Sequence, residues 1–174
     1  VTLISGPTNI DAPDRASVVA VQSADEMLQA VMSSISDADI FIGVAAVADY
    51  KPVSALNQKI KKSGGSALTL NLVQNQDILK TVAELPNRPY TVGFAAETEN
   101  VIEYARAKLT AKNLDMIVAN NVADTSIGFN SDHNETTIIT RTISGTTEAQ
   151  QSKMSKENLS RKLIELIAEQ VTEA

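Results

Sequence analysis

The sequence predicts an α/β domain built on a mainly parallel sheet, and three observations lead there. Strand-type and helix-type segments alternate along all 174 residues. Two runs, "IFIGVAAVA" (40–48) and "YTVGFAAE" (90–97), are almost wholly apolar or small, as strands covered on both faces are. No internal repeat, low-complexity tract or linker interrupts the pattern, so one domain over residues 1–174 is expected.

Taken in order, "VTLIS" (1–5) reads as a short buried strand and "GPTNIDAPD" (6–14) as a loop set by Gly and Pro. "VVAVQ" (18–22) is a second strand. "SADE" (23–26) is a capping box, Ser23 accepting from the backbone three residues on and Glu26 reaching back. Met27, Leu28, Val31 and Met32 then give the helix an apolar face. A third strand is expected over 38–48 and an alternating one over "ALTLNLV" (67–73), with Leu68, Leu70 and Leu72 on one side. "NQDILKTVAEL" (75–85) is a short helix that stops before Pro86. After the strand at 90–97 come a helix (97–113) and the strand "DMIVAN" (115–120). The β-branched "TTIITRTIS" (136–144) turns at Gly145 in a hairpin. The last helix, 155–171, places Leu159, Leu163, Ile164 and Ile167 inward.

Composition narrows the function classes. With no cysteine, disulfides and thiolate metal sites are excluded, and a reducing, cytoplasmic setting is compatible. No apolar run is long enough to span a bilayer, and no charged-then-apolar leader is seen, so no membrane role is expected. "NET" (134–136) and "NLS" (158–160) match the glycosylation pattern and are read as chance. The net charge of −6 argues against nucleic-acid binding. Residues 51–65 nevertheless carry Lys51, Lys59, Lys61 and Lys62 and no acid, a local +4 that leaves −10 on the remainder. Such concentrated charge suits a small anion.

Ligands of parallel α/β sheets sit beyond the carboxyl ends of the strands, so the polar residues after each apolar run are the candidates. They are Asp49 after the third strand, Asn75, Gln76 and Asp77 at a helix start, Glu97 after the strand that carries Phe94, and Asn120 and Asn121. The small residues Gly43, Ala45, Ala46, Ala48, Gly93, Ala95 and Ala96 let either a flat ligand or a packed helix approach the backbone. The lysine segment, with "SGG" (63–65) behind it, reads either as a solvated loop or as a lid that brings ammonium groups over a polyphosphate. Lys108 and Lys112 share a helix face, and by the plainer account they complement the helix dipole. His133 has no partner at metal-ligand spacing. Neither a nucleophile triad, a G-x-G-x-x-G fingerprint nor a phosphate loop can be assembled.

At "FIGVAAVADY" (41–50), "KIKK" (59–62), "VGFAAET" (92–98) and "GFNSDHN" (128–134), in this order, the chain resembles the phosphopantothenoylcysteine synthetase domain of bacterial coenzyme A biosynthesis. The resemblance covers essentially the whole chain. It implies a Rossmann-like, three-layer α/β/α fold with a hairpin extension, and CTP-dependent ligation of 4′-phosphopantothenate to L-cysteine with Mg²⁺. It also implies a cytoplasmic homodimer, in many bacteria fused behind a decarboxylase. By it, Asp49 contacts the nucleotide while Gly43, Val44 and Ala45 line base and ribose. Lys59 is the catalytic lysine of a flap that also holds Lys61 and Lys62. Asn75, Gln76, Asp77, Phe94, Lys108 and Lys112 match further nucleotide-pocket positions. The family's domain begins earlier, with an "I-S-N-x-S-S-G" motif, so an N-terminally incomplete domain is expected; its "N-P-D-I" is "NQDI" here.

Two other readings stand beside this one. A dinucleotide-dependent oxidoreductase fits the α/β pattern but lacks the glycine fingerprint and an acidic ribose partner. A non-catalytic nucleotide-binding or dimerisation fragment fits the absent motif. The segment 136–144 is the candidate dimer contact, or else an ordinary edge strand of the sheet.

Overall fold

The computed structural model describes residues 1–54, 58, 60–61, 68–122 and 131–172. Along the chain run β1 (Thr2–Ser5), β2 (Ser17–Ala20), α1 (Ala24–Ser34), β3 (Ile40–Gly43), β4 (Tyr50–Pro52), β5 (Leu72–Gln74) and α2 (Ile78–Ala83). There follow β6 (Tyr90–Glu97), α3 (Val101–Ala111), β7 (Met116–Asn121), β8 (His133–Thr142), β9 (Gly145–Ser155) and α4 (Lys156–Thr172). Two compact units emerge, one from Val1–Ser34 with Ala45–Ile78 and one from Ile35–Val44 with Leu79–Ala174.

The second unit is a three-layer α/β/α body. Its sheet has the order β3-β6-β7-β8-β9, with β3, β6 and β7 parallel and β8 and β9 antiparallel. Because side chains alternate across a strand, each strand feeds two cores. Ala95, Ile117, Ala119 and Ile139 meet α2 and α3 through Ala83, Ala105 and Leu109. Val92, Met116, Val118 and Ile138 meet α4 through Leu163 and Ile167. Gly43 and Gly93 pair across β3 and β6, and a Cβ at Gly93 would lie 2.7 Å from Leu79 Cδ2 and 2.8 Å from Leu114 Cδ1. At these two glycines the missing side chains admit a helix.

Several expectations shift. β3 ends at Gly43 rather than 48: Val44 is exposed, and Val47 N–H turns back to the Ala45 carbonyl at 3.0 Å. The alanines that follow offer too little side chain for cross-strand packing to hold a ladder. The segment 136–144 is not an edge strand, since β8 is hydrogen-bonded to β7 and β9, and β9 is the edge strand. The hairpin itself is present, with Thr142 paired to Gly145 across a two-residue turn and Gly145 at φ 138°. In α4 the inward stripe is Leu159, Leu163 and Ile167, whereas Ile164 is exposed because it lies off that stripe. α3 starts only at Val101, since Glu97 still belongs to β6.

At the amino end of this sheet Asp115 accepts from Arg88 Nη1 and Nη2 (2.5 and 2.6 Å) and from Thr91 N–H (2.8 Å). The bond to Asp115 raises the Arg88 pKa. Burial, with Asp115 adding to it, pushes Tyr90 up to about 12, and its hydroxyl has no hydrogen-bond partner.

The first unit is lighter. β1 and β2 form a parallel pair and β4 and β5 an antiparallel one. α1 is capped as its sequence expects, Glu26 N–H donating to Ser23 Oγ at 3.2 Å, although the Glu26 carboxylate reaches Gln22 N–H (2.7 Å) rather than that of Ser23. Val31 is buried and Met27 and Leu28 are half-buried, while Met32 is exposed. The strand expected over 67–73 forms only from Leu72, and Leu68, Leu70 and Leu72 all face solvent. Among the described residues no helix is long and apolar enough to cross a membrane.

Candidate functional site

In the first unit the loops after β1 and β2, with Ala45–Ala48 and Tyr50–Pro52, line an open cavity of about 570 Å³, inside the ~300–1,000 Å³ range of small-molecule sites. β1 and β2 are parallel, so both deliver their following loops to the same edge. Ser5 and Thr8 come from the first loop, Ser23 and Asp25 from the start of α1. Ala45–Ala48 form a wall of small side chains, across which only backbone and methyl groups would meet a ligand. The "AAVA" stretch, expected as the end of the third strand, thus lines a concave surface instead.

Asn75 fixes that wall. Its N–H donates to the Asp49 carbonyl (2.8 Å) and its Nδ2 to the Ala48 carbonyl (2.8 Å). Its Oδ1 is buried with no partner, an acceptor left over once the amide has done its structural work. Asp49 and Gln76 are exposed, and Asp77 is the residue before α2. α2 has six residues, too short for an anion site to rest on its N-terminus alone.

Lys51 changes the reading of the lysine segment. Its ammonium sits 2.6 and 2.5 Å from Asp25 Oδ1 and Oδ2, both residues lining the cavity. Lys51 is therefore neutralised locally. Lys61 is exposed, while Lys59 and Lys62 lie outside the described residues. Ser5, Thr8, Ser23 and Asp25 were not singled out from sequence as site residues, and Lys51 only as one lysine of the charged segment. The available signal was "SGPT" and the capping box, each directly after a strand.

The remaining candidates belong to the second unit. Gly43 ends β3 against Leu79, and Val44 is exposed. Phe94 is half-buried against the cluster of Val92, Val118 and Leu163. At the carboxyl ends of β6 and β7, Ala96 and Glu97 pair with Asn120 and Asn121. Asn120 Oδ1 and Thr136 Oγ1, opposed across β7 and β8, are both buried without partners. Lys108 Nζ lies 2.6 Å from Glu97 Oε1. Lys112 caps α3, its N–H donating to the Lys108 carbonyl at 3.0 Å.

Among the described residues no three His, Asp or Glu side chains converge as a metal site.

Comparison with known proteins gives one consistent picture. The profile of the family described as DNA/pantothenate metabolism flavoprotein C-terminal domain matches residues 1–171. The Vibrio cholerae coenzyme A biosynthesis bifunctional protein CoaBC is 47% identical over 175 residues, covering 98% of this chain and 42% of that protein. Its Escherichia coli counterpart is 51% identical over 137 residues, 77% of this chain and 34% of that one. This chain thus spans less than half the length of these relatives. The crystal structure of the C-terminal domain of a CoaBC protein superposes with a TM-score of 0.80 at 32% identity, covering 99% of this chain and 75% of that one. The DNA/pantothenate metabolism flavoprotein from Streptococcus pneumoniae, at TM-score 0.73 and 20% identity over 96% of this chain and 80% of its own, bears on the fold alone.

Proposed function

The chain belongs to the DNA/pantothenate metabolism flavoprotein C-terminal domain family, and on that footing we propose that it ligates 4′-phosphopantothenate to L-cysteine, with CTP as activating nucleotide, in coenzyme A biosynthesis. The observation that carries this reading is the 47% identity to a CoaBC protein across 98% of the chain. The small-residue cavity wall at Ala45–Ala48, braced by Asn75, supports it.

In the proposed first step a carboxylate oxygen of phosphopantothenate attacks the α-phosphorus of CTP. A C(O)O–P bond forms, the bond to the β-phosphate oxygen breaks, and pyrophosphate leaves. The cysteine amine then attacks the acyl carbon; the amide forms, CMP departs with the bridging oxygen, and the amine proton passes to solvent. Both first-step reactants are anions, so the barrier is dominated by charge on the phosphoryl oxygens. Lys59 is the group assigned to stabilise that charge, a role of the size of about 10²–10³ in rate. Asp49, Ala45 and the Asn75 brace orient the nucleotide, and Lys61, Lys62, Lys108 and Lys112 supply further positive charge. The relatives are named bifunctional, and a decarboxylase is the proposed second activity of the whole protein. A homodimer is the proposed assembly.

The test is pyrophosphate release with each nucleoside triphosphate, phosphopantothenate and cysteine. Turnover with CTP, reduced about 10²–10³-fold in Lys59→Gln while CTP still binds, is the expected outcome. Turnover of Lys59→Gln within a few-fold of wild type removes Lys59 from that role. CTP binding without pyrophosphate release from the 174-residue chain favours a nucleotide-binding fragment.

A further inference from the structure

Lys108 lies near the C-terminal end of α3, where a cation ordinarily serves the last carbonyls of the helix. It does not do so here. The Lys108 and Thr110 carbonyls are met by Lys112 N–H and Asn113 N–H, and the Leu109 carbonyl by Leu114 N–H and Arg141 Nη2. The Lys108 ammonium goes instead to Glu97 Oε1, at 2.6 Å. Helical side chains lean toward the N-terminus of their helix, and α3 starts just after the carboxyl end of β6. The lysine stem therefore reaches toward the edge of the sheet where parallel strands present ligands.

The two partners are unequal. The Glu97 side chain is 15% exposed and that of Lys108 46%. Glu97 is held as the last residue of a ladder strand, and its carbonyl accepts Val122 N–H at 2.9 Å. The carboxylate is the fixed member and the ammonium the movable one. The residues paired with Ala96 and Glu97 in β7 are the amides of Asn120 and Asn121, so Glu97 brings an anion to a strand edge whose neighbouring strand ends in neutral groups.

We propose that Glu97 sets how tightly this edge of the sheet holds a nucleotide: its carboxylate is the counter-ion that a polyphosphate displaces from Lys108. The inference rests on the reading of Lys108 as a nucleotide-contacting lysine and names the group that opposes it. An incoming phosphate gains the ammonium but meets a fixed negative charge, so affinity is held down and the leaving pyrophosphate has a competitor ready for its lysine.

The test is calorimetric titration of CTP and of inorganic tripolyphosphate into wild type, Glu97→Gln, Lys108→Met and the double variant, at low and high salt. Glu97→Gln should tighten both ligands about three- to tenfold at low salt and by less at high salt. The gain should vanish in the Lys108→Met background, where no ammonium is left to release. Unchanged or weaker binding in Glu97→Gln, or a gain that survives without Lys108, overturns the proposal. If Glu97→Gln does not fold, Glu97→Asp, with its shorter reach, should tighten both ligands in the same direction, and its failure to do so counts equally against it. A gain for tripolyphosphate with no CTP binding leaves the counter-ion standing and removes the nucleotide reading. Absence of binding by either ligand removes both.

Discussion

The two units use apolar residues differently. In the second, β6, β7 and β8 bury Val92, Met116, Ile117, Val118, Ile138 and Ile139 at 0–1% exposure, between α2 and α3 on one face and α4 on the other. In the first, Val18, Val19, Leu68, Leu70 and Leu72 are exposed, and of its described apolar residues Val21, Val31 and Ile78 are buried. The contrast runs against polarity, for it is the first unit that gathers Ser5, Thr8, Ser23, Asp25, Lys51 and Asn75 around one cavity. One unit is organised by packing and the other by a cluster of loops after short strands. Stability and ligand binding should therefore respond to different substitutions.

The largest effect comes from breaking the packed side. Leu109 is 1% exposed within the core that joins α3 to β6, β7 and β8. Leu109→Ala deletes buried methyl groups that rigid neighbours cannot replace, and should cost about 2–5 kcal/mol in urea unfolding. Leu70→Ala, at a leucine 64% exposed, should stay within about 0.5 kcal/mol. Equal losses at the two leucines would end the contrast.

The same contrast explains what could be read from sequence. "YTVGFAAE" and "DMIVAN" became strands nearly where expected because both faces of each are covered, and continuous apolarity is what that environment selects. "IFIGVAAVA" carries the same signal, yet its second half lines a cavity. Small residues serve ladder, helix contact and ligand wall alike, so composition alone could not divide the run at Gly43. The leucines at 68, 70 and 72 alternate as a strand should, but alternation cannot say whether a covering layer is present. At the cavity, Asn75 was legible as a polar residue following a strand, whereas Asp49, legible in the same way, does not line it. Asp25 and Lys51 were not legible as partners, because their pairing joins positions far apart in the chain and depends on two loops meeting at one edge. Lys108 was legible as a cation and illegible as the partner of Glu97, since a helix wheel does not show which strand end lies beneath it.

A smaller effect sharpens the comparison from the first unit. Ser23 caps α1 and also lines the cavity. Ser23→Ala leaves Glu26 N–H without its acceptor and should cost about 1 kcal/mol in unfolding free energy. Because the α1 start forms part of the cavity wall, CTP affinity should fall with it, measured by titration on the folded variant.

The smallest effect at neutral pH belongs to Tyr90. Burial raises its pKa from the ordinary tyrosine value near 10 to about 12, and its hydroxyl is buried with no partner. The neutral phenol is thus favoured by the fold. Stability from this group is complete below the unfolded-state value near 10 and is lost as pH rises toward about 12, because the unfolded chain gives up the proton first. Tyr90→Phe removes a hydroxyl that makes no hydrogen bond, so near pH 7 it should be neutral or slightly stabilising. Its distinctive signature is alkaline: wild type should lose stability between pH 10 and 12 with a slope of up to one proton more than the variant. Urea midpoints measured at pH 7, 10 and 11 decide it. Parallel curves for the two proteins would mean that the hydroxyl is wet in solution and that the packed unit opens at this edge of its sheet.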